Sequence, residues 1–467
     1  MTGPVPDGRL PDGFAVRLDP RVRRRADGTL LGGSPLRLMR LAPRARDLLD
    51  DGRIVVQDAT SAEVAARLLD GGLAAPHLSS VPPDDVTVVI PVKDRPAALA
   101  RLLAALRADP VTADLPVVVV DDGSAAPVPA RDGIRVVRHP VARGPAAARN
   151  AGLRTATTPF VAFLDSDCVP LPGWLERLRP HMADPRLAVV APRIVALAEG
   201  ERSWLSPYEA AVSALDMGPD PAAVRPLSAV SYVPSAALLV RREALGGGFD
   251  ETMPVAEDVD LVWRLTGAGW RVRYEPAAGV AHDHPAGTAQ WLRRRAYYGT
   301  GAALLAARHG SAVAPVVLAP ESALAWGLAI AGGRWGRAAA AGVLAVTAVR
   351  LAHRLARPDE PPPLALAASL VVRGQGAAGR TLARAATRHH WPLAMAAAVV
   401  SPRARRGLLA VAAADAAVAW WPQRRRVGPI RFAVARRLED LAYGTGLWWG
   451  AWRAGQPGAL LAARPPH

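Results

Sequence analysis

The run Phe160-Val161-Ala162-Phe163-Leu164 is followed at once by Asp165-Ser166-Asp167. Five consecutive apolar residues suit a strand buried on both faces, as in a parallel sheet. An Asp-x-Asp at the end of such a strand puts two carboxylates on one side of the backbone, at the edge of the sheet. Carboxylates that close repel each other unless a cation lies between them. A hard divalent ion, Mg²⁺ or Mn²⁺, suits that place and keeps positions open for substrate phosphates. The competing reading is a solvated turn with two acids. What decides between them is the company the dyad keeps along the chain.

Upstream, Asp84 to Lys93 is a β-branched run closed by Pro91, then Asp94-Arg95-Pro96 leads into the amphipathic stretch Ala97–Leu106. That order predicts strand, loop, helix. Val117-Val118-Val119-Val120 predicts a second buried strand, ending in Asp121-Asp122-Gly123-Ser124. A third strand is expected at Gly133–Arg138, and Arg143-Gly144-Pro145 then feeds a small-residue helix running through Arg149, Asn150 and Gly152. A helix N-terminus flanked by arginines suits an anion. Alternating strands and helices over about 110 residues predict a doubly wound α/β domain with ligands at the carboxyl ends of its strands. An acid at one strand end can hold a ribose or base, and a metal dyad at a later one can hold a diphosphate. The chain has no G-x-x-x-x-G-K-[ST], and no G-x-G-x-x-G follows the first strand. A P-loop is therefore excluded, and a dinucleotide fold is not expected.

The set IPVKDR, VVDDGS, RGPAAARNAG, FLDSDC, GFDETMPVAEDVDLVWRL and GVAHDH resembles, in order and spacing, the family-2 glycosyltransferases of GT-A fold. The resemblance spans residues 84–300. It implies an inverting transferase that depends on Mn²⁺ or Mg²⁺ and uses a nucleotide-sugar donor. By motif, Pro91, Asp94 and Asp122 would contact the uridine part of the donor, and Arg149 and Asn150 would lie beside it. Asp165 and Asp167 would hold the metal and donor diphosphate, with His282 as a further metal ligand. The resemblance points to Asp258 as the base that deprotonates the acceptor hydroxyl. Asp260 competes for that role, since the two face differently on a helix starting near Glu257. Glu257 and Asp258 can also be read as favourable charges in a helix first turn. His284 has the weaker claim of the two histidines and reads as a loop residue. Gln290-Trp291-Leu292-Arg293-Arg294 resembles the Gln-x-x-Arg-Trp signature of processive β-glycan synthases, with Arg294 in place of the Trp. Gln290, Arg293 and Arg294 are expected either on an acceptor-side helix that attracts diphosphate, together with Glu257, or on a plain basic surface.

Residues 1–80 contain strand-like runs around Asp27-Gly28, a hairpin signal, and helical stretches at Pro43–Leu49 and Ser61–Gly71. This pattern resembles the small winged-helix, PqqD-like modules that bind leader peptides; a structural cap is the alternative. Residues 301–467 are rich in Ala and Arg and are expected to be helical. No window there is expected to be both long and apolar enough to span a bilayer. Trp420, Trp421, Trp448, Trp449 and Trp452 would suit a membrane interface, and PDEPPP at 358–363 marks a break between helices. The net charge of +16, carried by 57 Lys and Arg that are nearly all arginine, suits phosphate-bearing ligands or an anionic membrane surface. No nucleic-acid recognition motif accompanies it. Cys168 stands alone, which excludes an intrachain disulfide, and the N-terminus lacks the apolar segment of a signal peptide. A cytoplasmic protein at the inner face of the membrane is expected.

The three-part layout resembles the mycofactocin-system glycosyltransferases of actinobacteria. It implies transfer of glucose from UDP-glucose to a peptide-derived precursor, building a β-1,4 oligoglucoside, with other biosynthetic enzymes or the precursor peptide as partners of residues 1–80. Two readings compete. One is a membrane-associated transferase acting on a polyprenyl phosphate or a cell-wall glycan. The other is a non-catalytic peptide-binding scaffold.

Overall fold

The chain divides into two units, residues 1–202 with 212–285, and residues 203–211 with 286–467. The computed structural model describes residues 2–6, 8–25, 27–197, 203–284, 287–356 and 361–464.

The first unit begins with β1 (Ala15–Leu18), β2 (Arg23–Arg24), β3 (Thr29–Gly32), β4 (Arg37–Arg40), α1 (Pro43–Asp47), β5 (Arg53–Val55), α2 (Ala59–Asp70) and β6 (Ala74–Pro76). Strand β1 pairs antiparallel with β5 and β6, while β2, β3 and β4 form a separate antiparallel meander. The turn signal at Asp27-Gly28 does join β2 to β3, and Ala26 lies outside the described residues. Helix α2 starts two residues earlier than the pattern predicts. Asp58 accepts the Ser61 N–H at 2.7 Å and Ser61 Oγ accepts the Asp58 N–H at 2.9 Å, a reciprocal cap that satisfies the first-turn donors. Leu68 and Leu69 of α2 pack with Leu10, Phe14, Leu30 and Ile54 in a core of their own.

Next come β7 (Val86–Val92), α3 (Pro96–Ala108), β8 (Val117–Asp122), β9 (Ile134–His139), α4 (Pro145–Thr155), β10 (Phe160–Leu164), β11 (Cys168–Pro170), α5 (Trp174–Leu178) and β12 (Leu187–Ala196). After α6 (Ser206–Val212), most of which belongs to the second unit, the first unit resumes with β13 (Ala222–Ala223), β14 (Ala237–Arg241), α7 (Arg242–Leu245), α8 (Glu257–Gly267) and β15 (Arg271–His282). These strands form one nine-stranded sheet in the order β11-β15-β12-β14-β10-β7-β8-β9, with β13 on β15. Half of it matches the predicted parallel arrangement: β10, β7, β8 and β9 are mutually parallel. The other half does not, because β14 inserts antiparallel between β10 and β12. The result is a mixed sheet. The apolar runs show burial on both faces, not direction, so this reversal had no signal in the sequence.

Pro91 sits near the end of β7, opposite Val120 of β8 and past the last β10 partner of that strand. One side of β7 is unpaired there, so a missing N–H is tolerated. Helix α4 lies on the sheet through Ala146, Ala147, Ala148, Ala151 and Gly152. Its small residues allow close approach, which brings Arg149 and Asn150 under the strand ends.

The second unit contains α9 (Thr288–His309), α10 (Pro320–Ala331), α11 (Gly333–Leu355), α12 (Leu364–Arg384), α13 (Trp391–Val400), α14 (Pro402–Trp420) and α15 (Pro429–Arg453). The helical expectation holds. Part of the expected break at 358–363 lies outside the described residues, and Leu364 begins a new helix. Among the described residues one helix, α11, with 23 residues, is long and apolar enough to cross a membrane by length and composition. The sequence pattern did not predict it, because Ala338–Val349 is short and preceded by Arg334 and Arg337, whereas the helix takes in those arginines and runs on to Leu355.

A Cβ added to Gly152 would stand 2.2 Å from Val89 Cγ1. Gly152→Ala is expected to cost roughly 1–3 kcal/mol by overpacking. It should appear as a lower urea midpoint with an unchanged slope; a wild-type midpoint would show that α4 is not seated this closely.

Candidate active site

The acids expected at the strand ends do gather at the carboxyl edge of the parallel half of the sheet. Asp94 follows β7 in a left-handed backbone conformation, φ 53°. Its N–H donates to Ser124 Oγ at 3.0 Å, and its Oδ1 accepts the Ala125 N–H at 2.8 Å. These bonds tie the loop after β7 to the loop after β8. Asp122 closes β8 opposite His139 of β9. Its Oδ1 lies 2.7 Å from His139 Nδ1 and accepts the Arg143 N–H at 2.9 Å, and its Oδ2 accepts the Gly144 N–H at 2.8 Å. Asp122 is buried and its carboxylate shapes the loop entering α4.

Asp165 and Asp167 depart from the expected geometry. The chain turns between β10 and β11, with the Cys168 N–H donating to Asp165 C=O at 2.9 Å, so strand alternation no longer places the two side chains. They turn to different cations. Arg149 Nη2 donates to Asp165 Oδ1 at 2.6 Å, and Arg95 Nη1 pairs with Asp167 Oδ2. Guanidinium groups thus supply the positive charge that the dyad requires. The second ligand candidate arrives through β-pairing: β11 runs against the end of β15, with Cys168 opposite His282. His282 Nε2 is 3.5 Å from Asp167 Oδ1. His282 is the last residue of β15, whereas the pattern predicts a strand ending at Tyr274. His284 lies beyond that strand, its ring centroid 5.2 Å from that of His282. Among the described residues no group of three or more His, Cys, Asp or Glu side chains is disposed to hold a metal ion. The donor chemistry nonetheless fits a hard divalent ion, with two carboxylates and one imidazole. Arg95, 42% exposed on its side chain, has room to leave Asp167.

Arg149 is 3% exposed and joins the dyad to the acidic helix. Its Nη2 holds Asp165 and its Nη1 donates to Glu257 Oε1 at 2.9 Å. Asn150 points elsewhere. Its Nδ2 donates to Phe249 C=O at 2.8 Å and to Glu251 Oε1 at 3.0 Å, and its Oδ1 accepts the Phe249 N–H at 2.9 Å. Asn150 therefore pins the loop that precedes α8. Gly248 fits against it at φ 75°, where a Cβ would meet Asn150 Oδ1 at 2.2 Å.

Helix α8 starts at Glu257, after Ala256 in a left-handed conformation at φ 63°. The structure separates the two competing aspartates. Asp260 is 1% exposed and pairs with Arg264 Nε at 2.7 Å inside the helix packing. Asp258 keeps part of its surface, and its Oδ2 and Oδ1 accept the backbone N–H groups of Ser235 at 3.1 Å and Val259 at 2.8 Å. Removal from water raises the Asp258 carboxyl above its ordinary value, against the pull of Ser235 and Arg149. Burial and then the Asp258 charge push Glu257 up to about 7, although Arg149 opposes this.

Gln290, Arg293 and Arg294 belong to α9 of the second unit. Gln290 and Arg293 are exposed and Arg294 is half-buried, while Trp291 and Arg295 turn inward to Glu209 at 2.7 and 2.5 Å. Sequence reasoning missed Arg95, His139, Ser235 and Ala236. Arg95 stands inside the IPVKDR motif, and His139 ends the strand next to Asp122, so both carried a signal. The segment holding Ser235 and Ala236 had none.

The model of glycosyl transferase family 2 matches residues 87–246. A pre-mycofactocin glycosyltransferase of Mycobacterium tuberculosis is 50% identical over 471 residues, covering 97% of this chain and 98% of the relative. The succinoglycan biosynthesis protein ExoU of Rhizobium meliloti is 30% identical over 44% of this chain and 63% of its own. Among solved structures, a mannosyltransferase from Pyrobaculum calidifontis, in complex with GDP-Man and Mn²⁺, matches with TM-score 0.37 and 23% identity over 63% of this chain and 80% of that one. With half of its residues identical along nearly the whole length of that mycobacterial relative, the chain is an enzyme of glycosyl transferase family 2 and belongs to the pre-mycofactocin glycosyltransferases.

Proposed function

We propose that this enzyme transfers glucose from UDP-glucose to a hydroxyl of a peptide-derived mycofactocin precursor, with inversion, and repeats the step to build a β-1,4 oligoglucoside. The observation that carries this reading is the full-length identity with the pre-mycofactocin relative. The site geometry agrees with it. Pro91, Asp94 and Asp122 line the strand ends where a uridine would lie. Asp258 is the base: its oxygens are oriented by backbone N–H groups, and its raised proton affinity suits removal of a hydroxyl proton near neutral pH. As that proton leaves, the acceptor oxygen forms its bond to the anomeric carbon and the bond to the diphosphate breaks. Arg149 keeps Asp165 and Glu257 in place during the step. Asp165, Asp167 and His282 would hold Mn²⁺ or Mg²⁺, once Arg95 moves aside. When bound, such an ion supplies positive charge at the leaving diphosphate.

The test is incubation of UDP-glucose with the decarboxylated Val-Tyr-derived precursor, with and without Mn²⁺. Successive hexose additions by mass, abolished by chelation, are expected. Asp258→Asn should lower turnover by about 10²–10⁴-fold while UDP affinity is retained. An active Asp258→Asn together with a dead Asp260→Asn would move the base to Asp260. Full biological function of an Asp258→Asn variant would favour the scaffold reading.

The pH dependence follows from the same pair. A base must be deprotonated, so kcat/KM should be flat at high pH and fall as pH drops through the apparent value of the pair. Because Asp258 and Glu257 are both raised, the fall should begin nearer neutrality than the value of about 4 of a free carboxylate. Glu257→Gln removes a neighbouring negative charge and should move the inflexion to lower pH. An upward shift, or none, would remove Glu257 from the account.

We also propose that the second unit rests on the inner, anionic face of the cell membrane. It exposes Ile330 at 75%, Trp335 at 74% and Trp452 at 73%, with arginines on the two helices that carry the tryptophans to meet lipid headgroups. Co-sedimentation with anionic vesicles, lost with neutral ones, is expected. No binding to either would leave the apolar helices to another partner. A peptide-binding role for residues 1–80, in the first unit, is a separate part of the proposed function.

A further inference from the structure

Residues 225–236 run from the N-terminal module to the proposed catalytic base. At the far end, the Ser235 N–H donates to Asp258 Oδ2 at 3.1 Å, and Ala236 C=O accepts the Asp165 N–H at 2.9 Å. Ser231 C=O accepts the Trp263 indole N–H of α8 at 2.8 Å. This segment therefore lies against both the dyad and the acidic helix. At the near end, the Ala229 N–H donates to Ser34 Oγ at 2.6 Å, and the Arg225 guanidinium donates to Asp70 C=O. Between these contacts the chain closes a tight turn. Ser228 Oγ donates toward Arg225 C=O at 2.9 Å and Val230 C=O at 2.7 Å, and Leu227 is held at φ 62°, an unfavourable conformation for a non-glycine residue.

Ser34 and Asp70 form one patch of the module. The turn before Ser34 presses on the end of α2 so closely that a Cβ on Gly33 would lie 2.5 Å from Gly71 C=O. The patch is anchored in turn. Arg271 at the start of β15 holds the Asp70 carboxylate through Nε at 2.7 Å and Nη2 at 3.0 Å, and its Nη1 holds Asp184. Arg21 Nη1 reaches Asp220 at 2.6 Å, and the Trp270 indole N–H donates to Gly3 C=O at 3.0 Å.

We propose that Ser34 and Arg225 are positioning residues for the transfer reaction: by fastening residues 225–236 to the N-terminal module, they fix the backbone that orients Asp258 toward the acceptor. The physical reason is that a loop held at both ends samples fewer conformations than one held at a single end, and small displacements of a catalytic group are costly in rate. The role in transfer rests on the reading of Asp258 as the base, while the fastening of the segment does not.

The test uses the full chain with Ser34→Ala, and with Arg225→Met as a second variant should the first fold poorly. Hydrogen exchange is measured at residues 225–236, alongside hydrolysis of UDP-glucose and transfer to the same peptide-derived acceptor. Amides at 229–236 should exchange about tenfold faster while β8 and β10 are unchanged. Acceptor kcat/KM should fall about tenfold, with UDP-glucose KM and hydrolysis within about twofold of wild type. Unchanged exchange at 229–236 overturns the proposal whether or not the enzyme uses glucose. Parallel loss of hydrolysis, transfer and melting temperature overturns it too, since the contacts would then serve only stability. An unaltered chain that transfers nothing from UDP-glucose would sink the functional reading, and the exchange result would still decide this one.

Discussion

A single buried guanidinium holds the site together. Arg149 comes from α4, Asp165 from the turn after β10, and Glu257 from the first turn of α8, and the three meet at 2.6 and 2.9 Å. Burial alone would make the Arg149 charge costly; the two carboxylates hold it charged. The Phe249 ring lies 5.5 Å from its guanidinium carbon and closes one side. A buried ion pair contributes little net stability, because desolvation offsets attraction, but removing one partner is costly. Its value is therefore in registration. Without Arg149, the acids proposed for the donor and the acceptor would lose the cation that both of them hold.

That interaction depends on close packing beneath it. Helix α4 can bring Arg149 under the sheet only because its contact face is alanine and glycine. The conformations at Asp94 and Ala256, both left-handed without glycine, lie at the same edge. Backbone strain of this kind persists where surrounding structure over-determines it. Here hydrogen bonds between adjacent loops do so at Asp94.

The N-terminal region is joined to the catalytic sheet through Arg271, Trp270, Arg225 and Asp220, so it belongs to the same folded unit. Strand β15 carries Arg271 at its beginning and His282 at its end. The strand that anchors the module is thus the one that brings His282 to Asp167. This coupling has no counterpart in any local pattern, because its partners are about two hundred residues apart in sequence.

The apolar runs at Val86–Val92, Val117–Val120 and Phe160–Leu164, and the acids that end them, are local features. Strand burial and turn chemistry act over a few residues, so the sequence by itself determined these strands and the clustering of Asp94, Asp122 and Asp165 at their ends. Other decisions were non-local and belonged to tertiary structure alone. Antiparallel insertion of β14 made the sheet mixed and carried Ser235 and Ala236 to the site. Pairing of β11 with β15 set His282 beside Asp167. Packing of α8 buried Asp260 against Arg264 and left Asp258 with part of its surface exposed. The pattern shows that a carboxylate is present, whereas its cation, depth and orientation depend on which distant element comes to lie against it.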